Sequence, residues 1–118
     1  ITANVLGING SIDFTAGFST LNNANTKTGT LKLGSSTLGT IASASGVSAS
    51  IGLITQNRGV ANRQHTRNNG QVAVTSAGSH TSVDTTIDND IIIAGQLAVA
   101  TDYFILESYL IILRNLWQ

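Results

Sequence analysis

Apolar and small polar residues alternate with a period of two along much of this chain, the spacing of a β-strand with one buried face. Ile12, Phe14, Ala16 and Phe18 alternate with Ser11, Asp13 and Thr15, and the preceding Asn9-Gly10 predicts a type I′ hairpin turn. The Asn-rich run Leu21 to Thr26 predicts a loop. Thr28 to Gly34 follows as a strand with Leu31 and Leu33 inward. Leu38 and Ile41 are out of phase by one residue, which places a β-bulge at Gly39. After a turn at Ser43 to Gly46, Val47, Ala49, Ile51 and Leu53 form another half-buried strand. Asn57 to Gly70 reads as a long polar loop carrying Arg58, Arg63, His65 and Arg67. Gln71 to Thr75 predicts a short strand, Ser76 to Ser82 a loop containing His80, and Val83–Ile87, Ile91–Ala98 and Tyr103–Leu113 three closing strands.

The last of these strands is apolar on both faces. Strict alternation puts Tyr103, Ile105, Tyr109, Ile111 and Leu113 on one side and Phe104, Leu106, Leu110 and Ile112 on the other. Such a strand is expected to be central in its sheet or covered by a second subunit. A helix competes for the same residues, but their β-branched and aromatic content favours a strand. Short strands at even spacing, with Gly, Asn and Asp turns and no Pro, predict one all-β domain over residues 1–118. The expected architecture is an antiparallel, jelly-roll-like β-sandwich.

Composition narrows the function classes. Only 10% of residues are charged, and 15 Thr, 12 Ser, 12 Gly and 11 Asn take their place. Six basic and six acidic residues cancel, so no global field favours nucleic acid or an anionic membrane. The apolar tract from Ile91 to Leu113 is broken by Gly95, Gln96, Asp102 and Glu107, which argues against a spanning helix. Zero Cys removes disulfides and thiolate chemistry. No leader peptide is visible, and a start at Ile1 without any Met suggests a processed or partial chain.

Candidate chemistry is sparse. No Gly-x-Ser-x-Gly elbow accompanies the two His residues, both expected on exposed loops, so no catalytic residue is assigned. Glu107 stands alone on an apolar strand, where pairing with an Arg is expected. Asp84, Asp88 and Asp90 could offer oxygen ligands to a hard cation, yet they fit turns better, so no metal and no cofactor is expected. Asn9-Gly10-Ser11 matches a glycosylation acceptor but is already accounted for as a turn. Arg58, Arg63 and Arg67 form a small anion patch without interleaved aromatics, which disfavours nucleic acid and suits a subunit or host-surface contact. Basic residues precede most acidic ones along the chain. The two sets therefore meet either as scattered surface pairs or across a subunit interface.

Five segments taken in order are Ser19-Thr20-Leu21-Asn22-Asn23-Ala24-Asn25-Thr26-Lys27-Thr28, Gln56-Asn57-Arg58-Gly59, Val83-Asp84-Thr85-Thr86-Ile87-Asp88, Ile93-Ala94-Gly95-Gln96-Leu97-Ala98 and Leu106-Glu107-Ser108-Tyr109. Together they resemble small β-sandwich modules of tailed-bacteriophage virion surface proteins, such as tail fibres, tail spikes and capsid decoration proteins. The resemblance spans Ser19 to Arg114. It implies a non-enzymatic virion component on the particle surface, a homotrimer that contacts other virion proteins and either cements the capsid or presents a host-contact surface. The family offers no catalytic residues to carry over. The chain departs from it at Asn115 to Gln118, where Trp117 either anchors on a neighbouring subunit or caps its own core. The alternative function is a receptor- or carbohydrate-binding module at a fibre tip, contacting a host glycan. A small hydrolase is a third and would require His65 or His80 beside both a Ser hydroxyl and a carboxylate.

Overall fold

A computed structural model of the protein describes residues 1–69 and 80–115. Eight strands follow in order: β1 (Ser11–Thr20), β2 (Lys27–Leu33), β3 (Ser36–Ser43), β4 (Ser48–Asn57), β5 (Gln64–Asn68), β6 (His80–Thr81), β7 (Ile91–Leu97) and β8 (Phe104–Arg114). They build a five-stranded sheet in the order β6-β5-β4-β1-β8 and a three-stranded sheet in the order β3-β2-β7. Every pairing is antiparallel. The two sheets pack face to face, so the expected all-β sandwich is what the chain forms. The strand expected at Gln71–Thr75, most of the adjoining loop, and Trp117 lie outside the described residues.

The core is the set of inward positions that the alternation marks. Ile12, Phe14, Ala16 and Phe18 of β1 lie against Ile51 and Leu53 of β4 on one side, and Leu31, Leu33, Leu38 and Ile41 close it from the other sheet. Leu38 and Ile41 both reach the core because the β2–β3 register shifts between Leu31, opposite Gly39, and Lys32, opposite Thr37. Leu38 is the extra residue of the expected bulge. Phe104 joins the two sheets. Its ring stacks on Phe18 at 4.4 Å and sits over the cross-strand pair Gly29 and Gly95, where a Cβ would come within 3.1 and 3.0 Å of it. Those two glycines leave the socket that the ring fills.

Several expectations are corrected. Asn9-Gly10 is not a hairpin turn: no strand precedes β1 among the described residues, and Gly10 has no positive φ. Gly10 is required for close approach instead, because a Cβ there would overlap the Leu6 carbonyl oxygen and lie 2.9 Å from that of Arg114. Val83–Ile87 is not a strand. Asp84 Oδ1 accepts from the Thr86 N–H at 2.9 Å and the Thr86 hydroxyl at 2.6 Å, and this Asx turn ends extension although Val83 and Thr85 are buried. Those two bonds hold the Asp84 carboxyl below the usual carboxylate range. The polar stretch after Asn57 contains β5, so His65 lies on a strand, as does His80 on β6. Val47 is exposed rather than inward, just before β4 begins.

Gly10→Ala is expected to lower stability by at least about 2 kcal/mol, since the new methyl meets fixed backbone. Gly59→Ala, at φ 77° with nothing within 4 Å, is expected to cost only about 1–2 kcal/mol of backbone strain. Urea unfolding of both variants checks the contrast.

Candidate functional site

Among the described residues, strand β8 is not central in its sheet; it is the edge, paired there only with β1. Its register slips between Gly17, opposite Ser108, and Phe18, opposite Leu106, which makes Glu107 a bulge residue. The bulge corrects the expected faces. Phe104, Leu106, Tyr109, Ile111 and Leu113 share the inner face with Ile12, Phe14, Ala16 and Phe18, while Ile105, Leu110 and Ile112 lie on the outer one. Only Phe104 and Ile111 reach the core as half-buried neighbours. Exposure is 48% at Ile105, 64% at Tyr109 and 57% at Leu110, and Tyr103, Leu106, Ile112 and Leu113 are also exposed. Both tyrosines are thus exposed, Tyr109 although it stands on the inner face, and neither lines the clefts described below. Glu107 pairs with no Arg; it accepts a hydrogen bond from Ser19 Oγ at 2.7 Å.

The three arginines are separated by the fold. Arg58 and Arg63 flank the β4–β5 turn, where the Arg58 N–H donates to the Arg63 carbonyl at 2.9 Å. Arg67 stands on β5 opposite Ile54. None has a carboxylate within 4 Å among the described residues, where the ion pair formed is Lys27–Asp102. Arg58 instead meets both histidines. His65 and His80 are direct cross-strand partners with ring centroids 5.3 Å apart, and Arg58 Nη1 lies 3.4 Å from His80 Nε2. With Asn9, Gln56 and Gly59 they line an open cleft of about 530 Å³. The Ser and carboxylate that hydrolysis would need are not among the lining residues. A second, larger cleft of about 730 Å³ runs beside Ser43–Ser45 and Ser48–Ser50, with Glu107 its one charged lining residue.

Beneath the Arg–His cleft, side-chain amides hold the turn in place. Gln64 Nε2 donates to Asn57 Oδ1 and to the Val83 carbonyl, each at 2.8 Å. Gln64 Oε1 accepts from the Val83 N–H at 2.9 Å and the Thr81 hydroxyl at 3.1 Å. Asn57 Nδ2 donates to the Gly7 carbonyl at 2.6 Å and to Thr85 Oγ1 at 2.9 Å. Asn57 and Gln64 point inward, so their chain neighbours Arg58 and His65 are held at the surface. Composition alone does not single out this network; polar residues at buried strand positions were its signal.

Lys27 was also missed as a site. It is fully buried, in phase with Gly29, Leu31 and Leu33 on the inner face of β2. Its ammonium donates to the Leu21 carbonyl at 2.6 Å, the Ala44 carbonyl at 3.2 Å and Asn23 Oδ1. Those acceptors use all three of its protons, so it acts as a charged tie rather than a free nucleophile. Asp102 Oδ2 lies 3.8 Å away without a hydrogen bond, while Oδ1 accepts from Asn23 Nδ2 at 2.8 Å. The tie joins the Asn-rich loop, the β3–β4 connection and the β7–β8 turn.

Among the described residues no group of three or more His, Asp or Glu side chains could hold a metal ion. Asp84 and Asp88 serve backbone instead, Asp88 Oδ1 accepting from the Ala3 N–H at 2.7 Å. No helix among the described residues is long and apolar enough to cross a membrane. The chain matches no family model, no curated protein and no solved structure.

Lys27→Met is expected to cost about 3–5 kcal/mol, because it leaves the Leu21 and Ala44 carbonyls and Asn23 Oδ1 without their donor and the Asp102 carboxylate without its counter-charge. The double change Lys27→Met with Asp102→Leu is expected to recover less than half of that loss in chemical denaturation, because the three acceptors stay unpaired and Asn23 Nδ2 loses its own partner. A smaller cost for the double than for the single change is the signature of the pair. Gln64→Leu, which leaves the Val83 N–H and carbonyl without partners, is expected to cost about 2–4 kcal/mol by the same measurement.

Proposed function

We propose that this chain is a non-enzymatic structural module that assembles with copies of itself through β8. The observation that carries the reading is an eleven-residue edge strand, apolar on both faces and largely exposed. Soluble proteins blunt such edges with charge, proline or short length, because an open ladder of N–H and C=O groups templates pairing with another chain. Here the charged side chains are Glu107, turned to Ser19 at the bulge, and Arg114 at the end. The apolar surface left open is of the kind that marks an interaction site.

A homotrimer suits this strand better than a dimer. Two β8 edges pairing about a two-fold axis would continue the sheet, yet leave Tyr109 and Leu110, on opposite faces, uncovered. Three copies around an axis give each β8 a neighbour on both sides. The predicted interface residues Tyr103, Ile105, Tyr109 and Leu113 would be buried there. The low charge and abundant Ser, Thr and Asn also suit close, hydrated packing between subunits. The resemblance to phage virion modules adds the setting: a component of the particle exterior, on capsid or tail, bound to other virion proteins.

Light scattering on the purified chain at micromolar concentration is expected to give three times the 12.2 kDa mass. Leu110→Lys with Tyr109→Glu is expected to yield monomers with unchanged far-ultraviolet circular dichroism. A monomeric parent chain would overturn the assembly reading. Antibody labelling of intact particles tests the setting separately, and unlabelled particles would remove it.

A further inference from the structure

We propose that the cleft formed by Arg58, His65 and His80 binds an oxyanion carried on a saccharide, a phosphate or sulfate ester of a glycan. The site is independent of the assembly reading. It lies on β4, β5 and β6, beyond β1 from β8 and two to four strand spacings of about 4.8 Å away, so burying β8 itself leaves it open.

One guanidinium and two imidazoles converge there, and none of the lining residues is acidic. The ladder explains the convergence: Gln56, His65 and His80 are successive cross-strand partners on β4, β5 and β6, and therefore share one face. Arg58 reaches the same face from the turn, to 3.4 Å from His80 Nε2. Its guanidinium is not neutralised, because no carboxylate lies within 4 Å of it among the described residues. The acidic residue on that face of β1, Asp13, is one pair further along, opposite Ile54, and accepts from Asn69 Nδ2 at 3.0 Å. A guanidinium fork beside imidazole N–H groups matches the geometry of phosphate and sulfate oxygens.

Two alternatives are less well served. Cross-strand imidazoles can chelate a transition metal, but Arg58 Nη1 stands 3.4 Å from His80 Nε2 and would remain a cation beside the metal. A bare inorganic anion would leave most of the 530 Å³ cleft unused. The Gln56 side chain, whose Nε2 donates to the Asn9 carbonyl at 3.4 Å, borders the remaining space with an amide of the kind that hydrogen-bonds sugar hydroxyls.

The test follows the imidazole proton resonances of His65 and His80 in the whole chain during titration with inorganic phosphate, a hexose phosphate ester and the matching neutral hexose. Saturable shifts are expected with both phosphates, tighter for the ester, and none with the neutral sugar. Arg58→Gln is expected to weaken binding about tenfold or more, the loss of a charge-assisted hydrogen bond. Lys32→Gln, on the other sheet, is expected to leave it unchanged. Absence of saturation, or equal affinity in the Arg58→Gln chain, would overturn the site. Equal affinity for phosphate and its ester would overturn the saccharide assignment, and saturation by zinc ion but not by phosphate would make the pair a metal site instead.

Discussion

The three-stranded sheet cannot cover the five-stranded one, and this mismatch governs the rest of the molecule. Where β3, β2 and β7 overlie β1 and β4, inward side chains vanish from solvent and the chain has its core. Where they do not, inward-facing residues such as Tyr109 and Leu113 remain wet despite standing on the same face as Phe14. At the β6 edge the same shortfall is met by polar means: Gln64, Asn57 and Thr85 fill the inner space and satisfy one another. At the β8 edge the described residues do not meet it: Tyr109, Leu110 and Leu113 stay exposed.

Much of this was legible in the sequence. Strands β1, β2 and β4 were readable because Ile, Leu and Phe mark one face of each, β7 and β8 because they are apolar runs rich in Ile, and the bulge near Gly39 because Leu38 and Ile41 break phase. β5 was not, since Gln64 and Thr66 inside and His65 and Arg67 outside are all polar, and alternation between two polar faces leaves no trace. Val83, Thr85 and Ile87 misled for the opposite reason. They alternate like a strand, but Asp84 closes a turn on Thr86 and Ile87 ends exposed.

The candidate site was legible in part. Grease on both faces of the last strand pointed to surface that one chain leaves uncovered, and the strand is indeed open, though as an edge rather than a centre. The arginines were noticed as a group, yet only Arg58 joins the histidines, because cross-strand pairing of His65 with His80 depends on a register no local pattern encodes. Lys27 was hidden by its own charge. A lysine is assigned to the surface by default, and only its phase with Leu31 and Leu33 hinted that carbonyls and Asp102 would receive it.

The extra residue at Glu107 divides β8 into two stretches with independent phase. The Phe104 side of the insertion is tuned to the glycine socket, whereas the stretch beyond it answers to Ile111 and to whatever lies outside the sandwich. Mutational drift can therefore rewrite the distal stretch without disturbing the hinge-like anchorage of the aromatic ring. A single inserted position thus makes one ribbon modular.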